Sequence, residues 1–179
     1  NDPGQTRNVA AQHPEVVHRL FSAYQSHHAD VMSHGGEPVR IHIGAAEENP
    51  TTFTVRDWHP TEGRVIWGPE QLADDTLFLN GWWGIEVARA GRYAFRLSRH
   101  PQDAAKPMGA SEARLRIGSN EENHSINPAD ASVAITVELP PGPTSLQTWL
   151  RDAVTGQSRG AYHVEVSKID PPVGGKNAQ

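Results

Sequence analysis

Three groups of residues in this sequence have the types and spacing for chemistry: an acidic-aromatic-imidazole run, a repeated acidic segment and tryptophans set in alternating strands. The densest is Arg-Asp-Trp-His-Pro at 56–60, where Asp57, Trp58 and His59 leave a strand-like run together. A carboxylate and an imidazole beside an indole can bond sugar hydroxyls while the indole stacks on a pyranose face; the same residues equally suit a core Trp58 with Asp57 forming the turn before Pro60. "RIHIGAAEEN" at 40–49 and "RLRIGSNEEN" at 114–123 share Arg, Ile, Gly, Glu, Glu and Asn in one spacing, each read as a strand that ends at a glycine and enters an acidic loop. Hard oxygen donors of this kind suit calcium, which makes Glu47, Glu48, Asn49, Glu121, Glu122 and Asn123 its candidate ligands; acidic loops also simply keep a sheet edge solvated.

Other catalytic constellations are missing. The chain has 10 His and no Cys. His13, His18, His27 and His28 fall on one helix, with His18 on the face opposite His27, while His42 and His163 lie in strands and His59, His100 and His124 at loops. No HExxH pair and no GxSxG elbow is present, so no catalytic residue is assigned and a free-standing metal-dependent enzyme is the weakest of the functions considered.

The elements that must position these residues divide the chain. Val17, Leu20, Phe21, Tyr24 and Val31 recur at helical spacing, and Pro14 suits a first turn, which predicts one amphipathic helix from Pro14 to about Met32. After Gly35-Gly36 come ten short runs of strand character separated by Gly, Pro, Asn and Asp, among them "RVIW" and "TLFL". The expected fold is mainly β: an antiparallel, jelly-roll-like β-sandwich over residues 35–170, preceded by a helical segment at 1–34 and followed by a disordered tail at 171–179. In "NGWWGIEV", alternation sends Trp83, Ile85 and Val87 to the core and Trp82 outward; in "SLQTWL" it sends Leu146, Thr148 and Leu150 inward and Trp149 outward. Two outward tryptophans mark a docking surface or a sugar platform.

Composition narrows the partners. Sixteen Lys+Arg against 21 Asp+Glu give a charge of -5, and no basic run exists, so a nucleic-acid partner is not expected. No run approaches the roughly 18 apolar residues of a membrane span, so no membrane is expected either.

The opening "NDPGQTRNVAAQHPEVVHRL" resembles the stretch near the end of the sulfatase domain in bacterial arylsulfatase-type enzymes, through Asp2, Pro3, Asn8, Ala10, His13, Pro14, Glu15 and Val16. "IGAAEENPTTFTVRDWH", "NGWWGIEVARAGRYAFRLSRHP" and "GAYHVEVSK" are similar to the accessory C-terminal β-domain of a subset of those enzymes. Gln5 and His27-His28 depart from the pattern. The resemblance implies an accessory or docking domain without catalysis of its own, since the Cys/Ser-x-Pro-x-Arg nucleophile motif is absent. It further implies a sulfatase catalytic domain of the same polypeptide as partner, calcium and formylglycine in that domain, and a periplasmic or secreted setting. The docking surface would then include Asp57, Trp58, His59, Trp82 and Trp149. The alternative is a carbohydrate-binding module that brings a parent enzyme to a sulfated glycan.

Overall fold

A computed structural model describes residues 4, 6–35, 38–62 and 64–169. The segment expected to be a disordered tail, and Asp2, Pro3 and Gln5 of the opening stretch, lie outside these residues. The chain divides into two compact units, Asn1–Pro38 and Val39–Gln179.

The first unit holds a 3-10 turn, Ala10–Gln12, and the helix α1, Pro14–His34. Asn8 Oδ1 accepts the Ala10 N–H at 3.0 Å, Pro14 occupies the first turn and Glu15 adds an acid near the positive helix end. Val17, Leu20, Phe21 and Tyr24 form the expected stripe, yet each is between 44% and 61% exposed. The stripe contacts itself, with the Phe21 and Tyr24 rings 6.3 Å apart, and the unit holds no further described helix or strand to cover it.

The second unit is a two-sheet sandwich of strands β1 (Ile41–Ile43), β2 (Thr51–Thr54), β3 (His59–Pro60), β4 (Gly81–Val87), β5 (Gly91–Ser98), β6 (Ala110–Ile117), β7 (Asn120–Ser125), β8 (Ser132–Leu139), β9 (Gly142–Asp152), β10 (Ser158–Arg159) and β11 (His163–Ile169), with a short helix α2 (Pro69–Ala73). One sheet runs β1-β4-β9-β6-β7, with β3 beside β4 and β10 beside β9; the other runs β2-β11-β5-β8. The second is antiparallel throughout, whereas the first is mixed, because β1 pairs parallel with β4 from Ile41↔Ile85 to Ile43↔Val87.

Period-two alternation builds the core. Trp83, Ile85, Val87, Leu115, Leu146 and Leu150 of the first sheet are buried together with Phe53, Tyr93, Phe95, Leu97, Ile135, Val164 and Val166 of the second. Each such side chain contributes about 1.5–3 kcal/mol by leaving water. Trp83 also donates its indole N–H to the Thr54 carbonyl at 3.0 Å, joining the two sheets by a satisfied polar contact.

Three expectations are corrected. Arg64–Trp67 and Thr76–Leu79 are not strands; they belong to the excursion between β3 and β4, which carries α2 and lends Ile66 to the core. The second acidic segment is not a loop, because Asn120–Ser125 is the edge strand β7, paired to β6 along its length. The sheet carrying both outward tryptophans is not purely antiparallel, since β1 reaches the edge of β4 without a hairpin.

Candidate functional site

Register aligns side chains across the outer face of the first sheet. His59 on β3 faces Trp82 on β4, which faces Gln147 on β9, which faces Arg116 on β6, which faces Glu121 on β7. At the usual strand spacing this row spans about 19 Å. A second row, two residues along, sets Trp149 opposite Arg114 and Arg114 opposite Asn123. All these residues are outward because their neighbours Trp83, Leu146, Leu150, Ala113, Leu115 and Ile117 fill the core.

The face is ordered by its own contacts. The His59 ring stacks on Trp82 with centroids 4.4 Å apart and planes at 28°. The Arg114 guanidinium lies 3.8 Å from the Trp149 ring centroid and that of Arg116 lies 5.1 Å away, so two cations share one indole. Arg116 Nη2 donates to Gln147 Oε1 at 2.5 Å, Gln147 Nε2 to Asn80 Oδ1 at 3.3 Å, and Asn80 Nδ2 to the Thr148 carbonyl at 2.9 Å. Glu121 pairs with Arg114 at 3.5 Å. Both tryptophans keep part of their surface in solvent. Each indole has one side taken, Trp82 by His59 and Trp149 by Arg114, and Gln147 between them is buried. The ring surface still in solvent is therefore what the face offers to the apolar side of a ligand, among Arg, Glu and Asn groups.

The other sequence candidates are placed elsewhere. Trp58 is 6% exposed and packs against Trp83 and Tyr162, at 5.6 and 5.7 Å between centroids, so it offers no ring face to a ligand. Gly81 and Gly160 make room for it: a Cβ on either would stand 2.7 or 2.6 Å from the indole. Asp57 Oδ2 accepts from the Thr54 N–H at 3.0 Å and hydroxyl at 2.9 Å, closing a turn. Asn49 bridges to the Lys168 main chain, accepting from its N–H at 2.9 Å and donating to its carbonyl at 3.3 Å, in the loop shared with Glu47 and Glu48. Glu121 and Asn123 lie on the outer face, while Glu122, opposite Leu115, points the other way. Among the described residues no group of three or more His, Asp or Glu side chains is arranged to hold a metal.

A second region lies at one end of the sandwich, where a cavity of about 560 Å³ is lined by Leu72, Asp75, Arg99, His100, Lys106 and Asp152, among others. Arg99 is 8% exposed and its Nη1 pairs with the Asp75 carboxylate. Arg159, 3% exposed, donates from Nη2 to the Asp75 carbonyl at 2.8 Å and lies 4.2 Å above the Phe78 ring. Burial, and then the neighbouring Arg99 charge, lower the Arg159 pKa. Burial, then Arg99 and Lys106, lower that of His100, and burial raises that of the Tyr162 hydroxyl, which donates to the Leu77 carbonyl at 3.3 Å.

No protein-family model matches the chain, and no curated protein matches it. Among solved structures it is similar to a ruminal GH26 endo-beta-1,4-mannanase, with a TM-score of 0.44 and 12% identity over 70% of this chain and 27% of that one. A Podospora anserina GH26-CBM35 beta-(1,4)-mannanase gives a TM-score of 0.44 and 12% identity over 69% of this chain and 28% of that one. A family 35 carbohydrate binding module from Clostridium thermocellum gives 0.40 and 14% over 68% of this chain and 100% of the module. The chain thus spans little more than a quarter of the two mannanase chains. None of these is a sulfatase, and the resemblance to the C-terminal region of one is corrected. With it the sulfatase catalytic domain loses its support as partner, and the calcium and formylglycine expected in that domain were implied through the same resemblance. Of the described residues that carried it, Asn8, Pro14 and Glu15 are of the kinds a helix entry uses in any fold.

Trp67, Arg99 and Arg159 escaped the sequence reading. Trp67 is 72% exposed, its main chain held by the Gln71 side chain and Arg56, but it sat in a run read as a strand. Arg99 did carry a signal. It continues the inward parity of Tyr93, Phe95 and Leu97, and a guanidinium on a core face needs a reason.

Proposed function

We propose that the sandwich is a non-catalytic carbohydrate-binding module that takes a glycan on the outer face of the first sheet. The observation that carries this reading is the aligned row His59, Trp82, Gln147, Arg116 and Glu121, with Trp149 beside it, which alternates ring surface with hydrogen-bonding groups over five strands. Trp82 and Trp149 lie about 8 Å apart by strand geometry, close enough for one oligosaccharide to touch both. The two guanidinium groups over Trp149 suit a glycan that also bears sulfate groups. In a longer polypeptide such a module acts by raising the concentration of a catalytic partner at the glycan.

Affinity electrophoresis through gels containing neutral and sulfated polysaccharides tests the reading. Retention by at least one glycan, reduced about tenfold or more by Trp82→Ala and by Trp149→Ala with folding intact, is the expected result. Retention that survives both substitutions would remove the face from the function.

A further inference from the structure

Among the described residues, helix α1 presents an apolar face that no element of its own unit covers. In proteins most helical stability comes from packing such a face rather than from intrinsic propensity. The face of α1 runs the length of the helix: beyond Val17, Leu20, Phe21 and Tyr24, Val31 is 51% and Met32 58% exposed. Glu15, Arg19 and Asp30, which bear the formal charges of the helix, fall on the opposite side by the 3.6-residue period. With histidine neutral the open seam is thus uncharged, and two copies of a chain of net charge -5 can meet there without like charges opposed.

The seam is also symmetric about its middle. Val17, Leu20, Tyr24, His27 and Val31 alternate at spacings of three and four, the a and d positions of a two-stranded seam. Val17 and Val31 stand seven residues to either side of Tyr24, and Leu20-Phe21 and His27-His28 stand three and four residues to either side. Phe21, Tyr24 and His28 form a ladder of rings along it, with centroids 6.3 and 5.7 Å apart. Two copies laid antiparallel across a two-fold axis at Tyr24 set Val17 against the other Val31, Leu20 and Phe21 against His28 and His27, and Tyr24 against itself, the reciprocal pairing that a two-fold interface requires. A parallel pair would stack His27 on His27 and align the two helix dipoles. At these exposures each helix offers roughly 500–600 Å² of apolar surface, so a pair joins about 1,000–1,200 Å², which reaches the lower bound of a specific interface.

We propose that α1 is a self-association surface, on which a second copy of this chain packs its own α1 antiparallel with the two-fold axis at Tyr24. An interface of this size gives a reversible dimer rather than a permanent one. The pairing does not rest on the carbohydrate reading; joined to it, a pair carries two glycan faces and gains avidity for a polymer.

Sedimentation velocity of the full chain over the micromolar range tests this, and the absence of Cys makes introduced thiols clean reporters of register. The chain is expected to pass from monomer to dimer as concentration rises. Tyr24→Glu keeps a strong helix former but sets two carboxylates together in an apolar seam, and is expected to weaken the dimer about tenfold or more with the helical circular dichroism of the monomer retained. Oxidation is expected to cross-link Tyr24→Cys to itself and Val17→Cys/Val31→Cys between copies, and to leave Val17→Cys uncross-linked. A chain that stays monomeric throughout the range, or a dimer unchanged by Tyr24→Glu, would overturn the proposal. Val17→Cys cross-linking as fast as Tyr24→Cys would overturn the antiparallel register. A dimer kept in the Trp82→Ala/Trp149→Ala chain supports pairing through the helix, whereas a dimer lost with those rings would assign the contact to the sheet face and overturn it.

Discussion

The outer face of the first sheet and the cavity at the sandwich end are built by different rules. On the face, each functional residue is the outward partner of a core residue: Trp82 of Trp83, Gln147 of Leu146, Trp149 of Leu150 and Arg116 of Leu115. Hydrogen-bonded strands fix their positions, so the same alternation that fills the core spaces the rings. The cavity instead gathers Leu72, Asp75, Arg99, Lys106 and Asp152 from loops and strand ends far apart in sequence, and its ion pair joins the buried Arg99 to an exposed Asp75 rather than following strand register. A strand-borne face is thus held by the sheet's own hydrogen bonds, while the end cavity is built largely from connecting segments.

The sharpest test separates rings on the face from rings in the interior. Trp58→Ala should cost about 3–5 kcal/mol in chemical denaturation, because it empties the space between Trp83 and Tyr162. Gly160→Ala should cost about 1–3 kcal/mol, since the added methyl meets the Trp58 ring at 2.6 Å and the indole is held on several sides. Trp149→Ala should cost about 1 kcal/mol or less while reducing glycan retention about tenfold or more, because Arg114 and Arg116 lose only a surface partner. If Trp149→Ala proved as costly as Trp58→Ala, the division between face and interior would fail.

The smallest effect concerns protons. Burial is the leading cause that holds the pKa values of His100 and His163 below the ordinary histidine value, with Asp103 partly opposing it at His163. The unfolded chain therefore binds more protons than the folded one just below about pH 6.5. Stability is complete above that pH and declines as pH falls through the interval between the unfolded and folded values. Thermal melts at pH 7.5 and 5.0 should show the drop, and His163→Gln should make it smaller; an equal drop in that variant would place the dependence elsewhere.

How much was legible follows the same division. Inward Trp83, Ile85 and Val87 against outward Trp82, and inward Leu146, Thr148 and Leu150 against outward Trp149, can be read from alternation alone, and so can the sandwich they build. Trp58 could not be separated from these by type, because its direction depends on two glycines from distant segments. The run Arg64–Trp67 imitates a strand because Val65, Ile66 and Trp67 are apolar in succession, although Ile66 alone is buried and Trp67 faces water. β7 was hidden for the opposite reason: Asn-Glu-Glu-Asn-His-Ser offers no apolar alternation to detect. Arg99 and Arg159 come together on Asp75 from segments 60 residues apart, which no local pattern records.

The polar strand β7 has one more consequence, for assembly. A sheet that displays two tryptophans on its face would grow by adding strands from neighbouring molecules if its margins were long and apolar. On one margin stand the three-residue β1 and the two-residue β3, too short to template a partner; on the other, β7 presents Glu121, Glu122, Asn123 and His124. An incoming strand finds charge at one side and almost no length at the other, so neither described margin of this sheet favours growth by strand addition beside the exposed indoles.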